Sequence, residues 1–324
     1  MPPSTPRPTL RDVARIAGVS HVTVSRVVRG SRAVVPETAR RVRAAIAKLG
    51  YQPDPVLSSL AAYRSARHPA RRTGSVLAFL DRDGTPYSRI VQRGVEGEAA
   101  RLGYRVERFP LFSSPGEAAQ RRLSRLLYQR GVCGLLFGPS DGAWTLAGWE
   151  WERFAAVSLG ALQHLPAMDT VAMDYFQGAF DGAEALWQAG CRRIGLVLES
   201  HLETRSGHRW IGGYKGWLVA RGLPFLHADW GKDGTKLKAW ARRHRIDGVL
   251  TIDSAVWNAL RPQEVRMVFL NGFDCPAGVP HLALDPEAIG IEGVRRLHPL
   301  LLRQEFGLPE QPKMTALQAF LKEG

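Results

Sequence analysis

Between residues 9 and 50, apolar positions recur every three to four residues in three short runs. Leu10, Val13, Ala14 and Ala17 form the first stripe. Thr9 stands where a helix cap belongs, and Gly18 where a tight turn needs a positive φ. Val24, Val27 and Val28 form the second stripe, behind Ser20 as cap. Val42, Ala45, Ile46 and Leu49 form the third, opened by Pro36 in a first-turn position and closed by Gly50. The pattern predicts three short helices. Valines are poor helix formers, so the second helix must depend on packing against its neighbours. Its other face presents His21, Val22, Ser25, Arg26 and Arg29.

Asp54-Pro55, an N-cap followed by proline, opens a short helical stretch over 56–64, and the polar, basic run 65–74 reads as a linker. From residue 74 strand and helix patterns alternate. Strands are predicted over 75–80, 105–110, 134–137, 155–159, 171–173, 194–198, 248–252, 267–271 and 281–284. Helices are predicted near 87–102, 117–130, 177–189, 207–221, 235–244 and 286–303. Such alternation implies parallel sheets covered on both faces. The chain therefore divides into an all-α headpiece (1–53), a hinge and linker (54–72) and an α/β core (73–324).

Charge sharpens this division. Of the 324 residues, 45% are hydrophobic and 23% charged, and the net charge is +14. Residues 1–72 hold 14 lysines and arginines against Asp12, Glu37 and Asp54, an excess of 11, which leaves +3 for the rest. A basic segment interleaved with helical apolar stripes points to a polyanion partner. Cys133, Cys191 and Cys275 lie far apart, outside any CxxC or Cys/His cluster, and read as reduced core thiols; no metal site or cofactor is expected. The opening MPPSTPRPTLRD lacks an apolar signal region, and no run is long enough to span a bilayer. The expected location is the cytoplasm, on the nucleoid, with no membrane partner.

Residues 9–55 resemble the headpiece of the lactose-repressor (LacI/GalR) family almost continuously. The resemblance includes the Asp-Val-Ala, Ala-Gly-Val-Ser, Thr-Val-Ser-Arg, Pro-Glu-Thr and Leu-Gly-Tyr-x-Pro runs. It implies a helix-turn-helix whose second helix enters the major groove of double-stranded operator DNA. By that resemblance His21 and Val22 read bases, with Arg26 one turn on and suited to guanine. Ser20, Thr23, Ser25 and Arg29 would face phosphates, and Thr9 and Tyr51 complete the DNA-binding set. Residues 54–64 resemble the family's hinge helix, with Leu57 and Leu60 placed to wedge into the minor groove; an amphipathic linker helix is the alternative. Val35 stands where the family often has a Ser or Thr cap, and Arg29 where many members have Asn.

The core resembles the family's periplasmic-binding-protein-like fold more loosely, through VAMDYFQGA (171–179), GCRRIGLV (190–197), NGFD (271–274), LDPEAIG (284–290) and EFGLPEQPK (305–313). The resemblance implies two α/β lobes joined by three crossovers, the first built from 73–162 and 286–312, the second from 163–285 and the C-terminal tail. A small-molecule effector, sugar-like by family, would sit between them. Matching positions are Asp274, Asp253, Trp230 and, more weakly, Arg209; the family's arginine would fall at Trp210. Trp230 reads equally as a core residue. Asp253 replaces the usual asparagine, and Gly160 stands where members often have an acid, so the ligand set is rewritten. Asp174 and Asp285 read as helix N-caps. The segment after Asp253 is shorter than is usual in the family, at a region used there for dimer contacts.

The function expected from the resemblance is an effector-controlled regulator, a repressor, binding a pseudo-palindromic operator as a homodimer. Two alternatives remain at this point. One is a regulator whose core responds to no ligand. The other is an enzyme with a DNA-binding head, against which stands the lack of HExxH, GxSxG, P-loop and strand-following GxGxxG motifs.

Overall fold

The computed structural model describes residues 8–28, 34–51, 76–82, 84–111, 116–139, 146–160 and 166–323. Its contacts divide the chain into two units, Met1–Arg71 and Arg72–Gly324.

The first unit contains α1 (Leu10–Ala17), α2 (His21–Val28) and α3 (Pro36–Leu49). Thr9 caps α1 in a capping box. Its Oγ accepts from the Asp12 N–H, and the Asp12 carboxylate accepts from the Thr9 N–H at 2.9 Å. Gly18 ends α1 at φ 63°, so the chain turns into α2 without a Cβ penalty. One valine from each helix, Val13, Val24 and Val42, is fully buried. Ala14, Ala17, Val27 and Ala45 close the core around them. Val35 precedes α3 without a side-chain cap, as its side chain dictates.

The second unit holds two six-stranded sheets. The first contains β1 (Val76–Asp81), β2 (Arg105–Pro110), β3 (Val132–Phe137), β4 (Ala155–Leu159), β5 (Asp169–Met173) and β11 (Met314–Leu317). They run parallel in the order β11-β5-β4-β3-β1-β2. The second contains β6 (Ile194–Leu198), β7 (His227–Asp229), β8 (Gly248–Thr251), β9 (Arg266–Phe269), β10 (His281–Ala283) and β12 (Phe320–Lys322), in the order β12-β10-β9-β8-β6-β7. Here β12 alone is antiparallel. Central strands such as β1, β4 and β6 are buried along their whole length, which explains their continuous apolar sequence. The edge strand β2 instead exposes Arg105, Arg108 and Pro110 and carries the polar sequence RVERFP.

The helices are α4 (Pro86–Arg101), α5 (Glu117–Gln129), α6 (Tyr175–Gln188), α7 (Ser200–Arg205), α8 (Arg209–Val219), α9 (Gly234–His244), α10 (Ser254–Leu260) and α11 (Pro286–Arg303). Among the described residues the chain crosses between the sheets three times: after β5 into α6, after β10 into α11, and after β11 into β12. Aspartates cap the helices at the first two crossings. Asp174 accepts the Gln177 N–H at 3.0 Å, and Asp285 accepts the Glu287 N–H at 2.9 Å.

Two sequence expectations need correction. The first lobe runs beyond residue 162 to include β5, and beyond residue 312 to include β11. Local pattern identifies a strand but not the sheet it joins, because that choice rests on pairings such as Met314 with Thr170. Seven described elements were not foreseen: α7, α10, β7, β11, β12 and the 3-10 turns Trp151–Arg153 and Arg261–Gln263. Each is three to seven residues long, too short for hydrophobic periodicity to register. Among the described residues no helix is long and apolar enough to cross a membrane. No group of His, Cys, Asp and Glu among them could hold a metal.

Candidate nucleic-acid interface and interlobe cleft

Packing of α2 fixes which side chains it offers outward. Val24 and Val27 point into the headpiece core, so His21, Val22 and Arg26 stand exposed, Val22 at 46%. Thr23 and Ser25 are half-buried beside them. Ser20 caps the helix: its Oγ accepts the Thr23 N–H at 3.2 Å and lies 3.0 Å from the Thr23 Oγ. These two hydroxyls are thus joined, which sets the start of the exposed face. Tyr51 packs half-buried against the core after α3. Arg29, Leu57, Leu60 and the whole hinge stretch 54–64 lie outside the described residues.

Sequence reading missed the role of Arg41. Its guanidinium reaches back from α3 and donates to the Ala17 carbonyl at 2.7 Å and the Gly18 carbonyl at 3.4 Å. It neutralises the carbonyl end of α1 at the turn between the two helices.

In the second unit, the strand ends that lead into the crossings bring the two lobes together. Tyr87, at the start of α4, meets Phe273, beyond β9, edge to face at 5.8 Å between ring centres. Tyr175, at the first crossing, donates its hydroxyl to the Gly160 carbonyl at 2.8 Å and packs against Trp210 at 4.9 Å. Burial pushes both phenols above their usual range, opposed by the positive charge of Arg205. Glu203 is 3% exposed. One of its oxygens accepts the Ile211 N–H at 3.3 Å, the other has no partner among the described residues, and desolvation pushes its carboxyl up to about 7.

Three of the four residues expected to hold an effector come together. The Trp230 indole N–H donates to Asp253 Oδ2 at 2.6 Å. Asp253 Oδ1 accepts the Ala255 N–H at 2.7 Å, capping α10, and Asp274 accepts the N–H of the intervening Ser254 at 3.0 Å. Trp230 is 5% exposed and packs among Val197, Leu226 and Leu237, so most of its ring is core. Arg209, the first residue of α8, is exposed and is not joined to this group. The cysteines are free thiols: Cys191 is buried, Cys133 and Cys275 half-buried.

The profile of a family described as "Bacterial regulatory proteins, lacI family" matches residues 9–54, the whole of the described headpiece from Thr9 onward. The maltose regulon regulatory protein MalI of Escherichia coli is 32% identical over 228 residues, covering 68% of this chain and 62% of that protein. The chain belongs to the lacI family.

Two solved structures share the fold of this lacI-family chain across both units. The lac repressor dimer bound to operator and the anti-inducer ONPF aligns with TM-score 0.59 at 19% identity, covering 98% of each chain. The transcriptional regulator CelR in its cellobiose complex aligns with TM-score 0.58 at 21% identity, again covering 98% of each. The matches to the first curated relatives span about three-fifths of those proteins' lengths, 62% for catabolite control protein A of Priestia megaterium. All four proteins are named as regulators, repressors or control proteins, none as an enzyme.

Aromatic residues gather near the first crossing and between the lobes of this lacI-family chain. Trp210, where the pattern has arginine, is 3% exposed and braced on Tyr175. Tyr87, Arg205 and Phe273 escaped sequence reading. Phe273 and Tyr175 sit inside the NGFD and VAMDYFQGA runs, but their partners Tyr87 and Gly160 lie in the other lobe.

Proposed function

We propose that the chain is a sequence-specific DNA-binding transcription regulator, a repressor, that grips a pseudo-palindromic operator as a homodimer. The observation that carries this reading is the exposed face of α2. His21, Val22 and Arg26 share it, held outward by buried Val24 and Val27, in a segment with an excess of 11 positive charges. A helix presented in this way fits the major groove, where donors and acceptors distinguish all four base pairs. His21 would contact a base edge, Val22 a thymine methyl, and Arg26 a guanine. Thr9, Ser20, Thr23, Ser25, Arg29 and Tyr51 would set the register on phosphates, and Leu57 and Leu60 would wedge between paired half-sites.

The interlobe cleft would hold a sugar-like effector on Asp253, Asp274, Trp230 and Arg209, and the Tyr87–Phe273 ring pair between lobes would shift as it binds. Selection of bound duplexes from a random pool tests the main reading. Recovery of one two-fold symmetric site supports it, and recovery of no shared sequence overturns it.

One observation favours a second reading of the core. Both oxygens of Asp253 already accept hydrogen bonds, and Trp210 occupies the arginine's position. A core of this kind could hold its lobes together without a ligand. Titration with mono- and disaccharides, followed by thermal midpoint, separates the two: a rise of several degrees supports the effector, and no rise with any sugar favours the ligand-independent core.

A further inference from the structure

In the second lobe, the strand ends opposite the cleft carry a second concentration of positive charge. Arg192 and Arg193 lead into β6, Arg242, Arg243 and Arg245 end α9 ahead of β8, and Arg266 opens β9. These strands are neighbours in the sheet, with Ile194 paired to Gly248 and Gly248 paired to Arg266. Adjacent strands lie about 4.8 Å apart, which sets Arg192 and Arg193 near Arg266, and the bond from Arg193 to the His244 carbonyl brings the end of α9, with Arg242, Arg243 and Arg245, to the same edge. The 14 residues of α6 set this edge about 21 Å from the first crossing.

Little at this edge neutralises the row. None of the six arginines makes an ion pair with a carboxylate among the described residues. Asp247 lies among them, its two oxygens accepting the backbone N–H groups of Arg192 and Arg193 at 2.8 Å each, and its charge offsets one of the six. Glu184 is engaged by Trp217 and Arg221. Glu264 is exposed in the turn before β9. The whole of 73–324 carries an excess of only +3, so this edge holds far more than its share.

Several of the guanidinium groups are also held in place. Arg192 donates to the Trp187 carbonyl at 3.0 Å and lies over the Trp187 ring at 4.2 Å. Arg193 donates to the His244 carbonyl at 3.1 Å, and Arg266 donates to the Ala189 carbonyl. Settling the carbonyl ends of α6 and α9 accounts for those bonds. It uses only one or two of the five donors on each side chain and leaves the charge uncancelled. Arg242, Arg243 and Arg245 are all exposed, and of the three only Arg242 donates to such a carbonyl among the described residues, that of Lys238 at 3.4 Å.

We propose that this arginine edge of the second lobe is a phosphate-backbone contact for double-stranded nucleic acid, independent of base sequence and separate from α2. Planar, pre-oriented guanidinium forks suit phosphate oxygens. An acidic protein fits less well, because protein interfaces centre on apolar groups. The exposed apolar residues at this end, Val219 and Phe225, lie past the row on the β7 side.

The test uses the full chain and a 40-bp duplex of random sequence. Wild type is compared with a triple variant, Arg242→Gln, Arg243→Gln and Arg245→Asn, the asparagine chosen to keep the left-handed backbone at 245 (φ 52°). The log–log dependence of affinity on salt should flatten by about 2 to 3, at roughly 0.9 for each phosphate no longer neutralised. The thermal midpoint should not move. Photo-cross-linking of wild type to the same duplex should label peptides covering 190–193 and 242–245, a readout that needs no variant to fold. An unchanged slope, or labels confined to residues 9–51, would overturn the proposal. So would displacement of the duplex by poly-glutamate at equal charge, which would point to an acidic protein.

Discussion

Arg41 on α3 holds the last carbonyls of α1, 2.7 Å from that of Ala17, and so joins two helices of the headpiece across the turn that aims α2. This arginine belongs to the fold of the headpiece as much as to its charge. Arg41→Ala should destabilise the first unit by about 1 kcal/mol, the value of a charge-assisted bond at a helix carbonyl end. Amide exchange in α1 and α2 should quicken accordingly. Affinity for any duplex should fall by one common factor, with base preference unchanged. Altered preference would mean that Arg41 touches bases.

Glu203 gives the second unit a pH dependence of definite sign. Its carboxyl binds a proton more tightly when folded, at about 7, than at its ordinary 4.5. The stability it contributes is therefore complete below about pH 4.5 and is lost as pH rises through 7. Glu203→Gln keeps an acceptor for the Ile211 N–H and removes the charge. At pH 8 it should raise stability by up to about 3 kcal/mol, with little change at pH 4.5, read from urea midpoints. Asp12 works in the opposite sense. Its hydrogen bonds from Thr9 lower its pKa, so its support for α1 is present above about pH 4 and is lost on acidification.

Gly94 on α4 and Gly290 on α11 let these helices touch backbone to backbone. A Cβ on Gly94 would lie 2.1 Å from the Glu287 carbonyl oxygen, and one on Gly290 2.1 Å from that of Val91. Both atoms are backbone and cannot swing aside. Gly94→Ala should cost about 2 to 3 kcal/mol, read from thermal or urea unfolding. A destabilisation under about 0.5 kcal/mol would show that the helices can part.

Trp230→Phe tests how the cleft residues depend on one another. Asp253 would lose its indole donor and keep its cap on α10. A loss of about 1 to 2 kcal/mol is expected, with little change in the ring's apolar burial. If Trp230 instead faces a ligand, stability should barely change while any sugar-induced rise in thermal midpoint disappears.

The headpiece was legible in the sequence because its information is local. Thr9, Gly18, Ser20, Pro36 and Gly50 mark the helix ends, and three apolar stripes meet within a short stretch of chain. Most core strands were legible for the same reason: continuous apolar runs such as VLAFL have few alternatives. The cleft was not. Tyr87 and Phe273 come together only once two lobes have formed from interleaved segments, and β11, near the C-terminus, completes the first sheet by pairing with the distant β5. The bond from Trp230 to Asp253 likewise joins neighbouring regions of the second sheet that no periodicity links. Arg41 was missed for a different reason. Charge on a basic headpiece suggests a phosphate contact, and only the geometry directs this guanidinium inward.

The central claim is that the exposed face of α2 reads base sequence. Its most direct test is sequencing of duplexes selected by the wild-type chain and by Arg26→Ala from the same random pool. The account predicts a two-fold symmetric site for wild type. In the variant, preference should disappear at one symmetric pair of positions, at about 1 to 3 kcal/mol per half-site, with the rest of the site retained. An identical site selected with equal stringency by both proteins would contradict it.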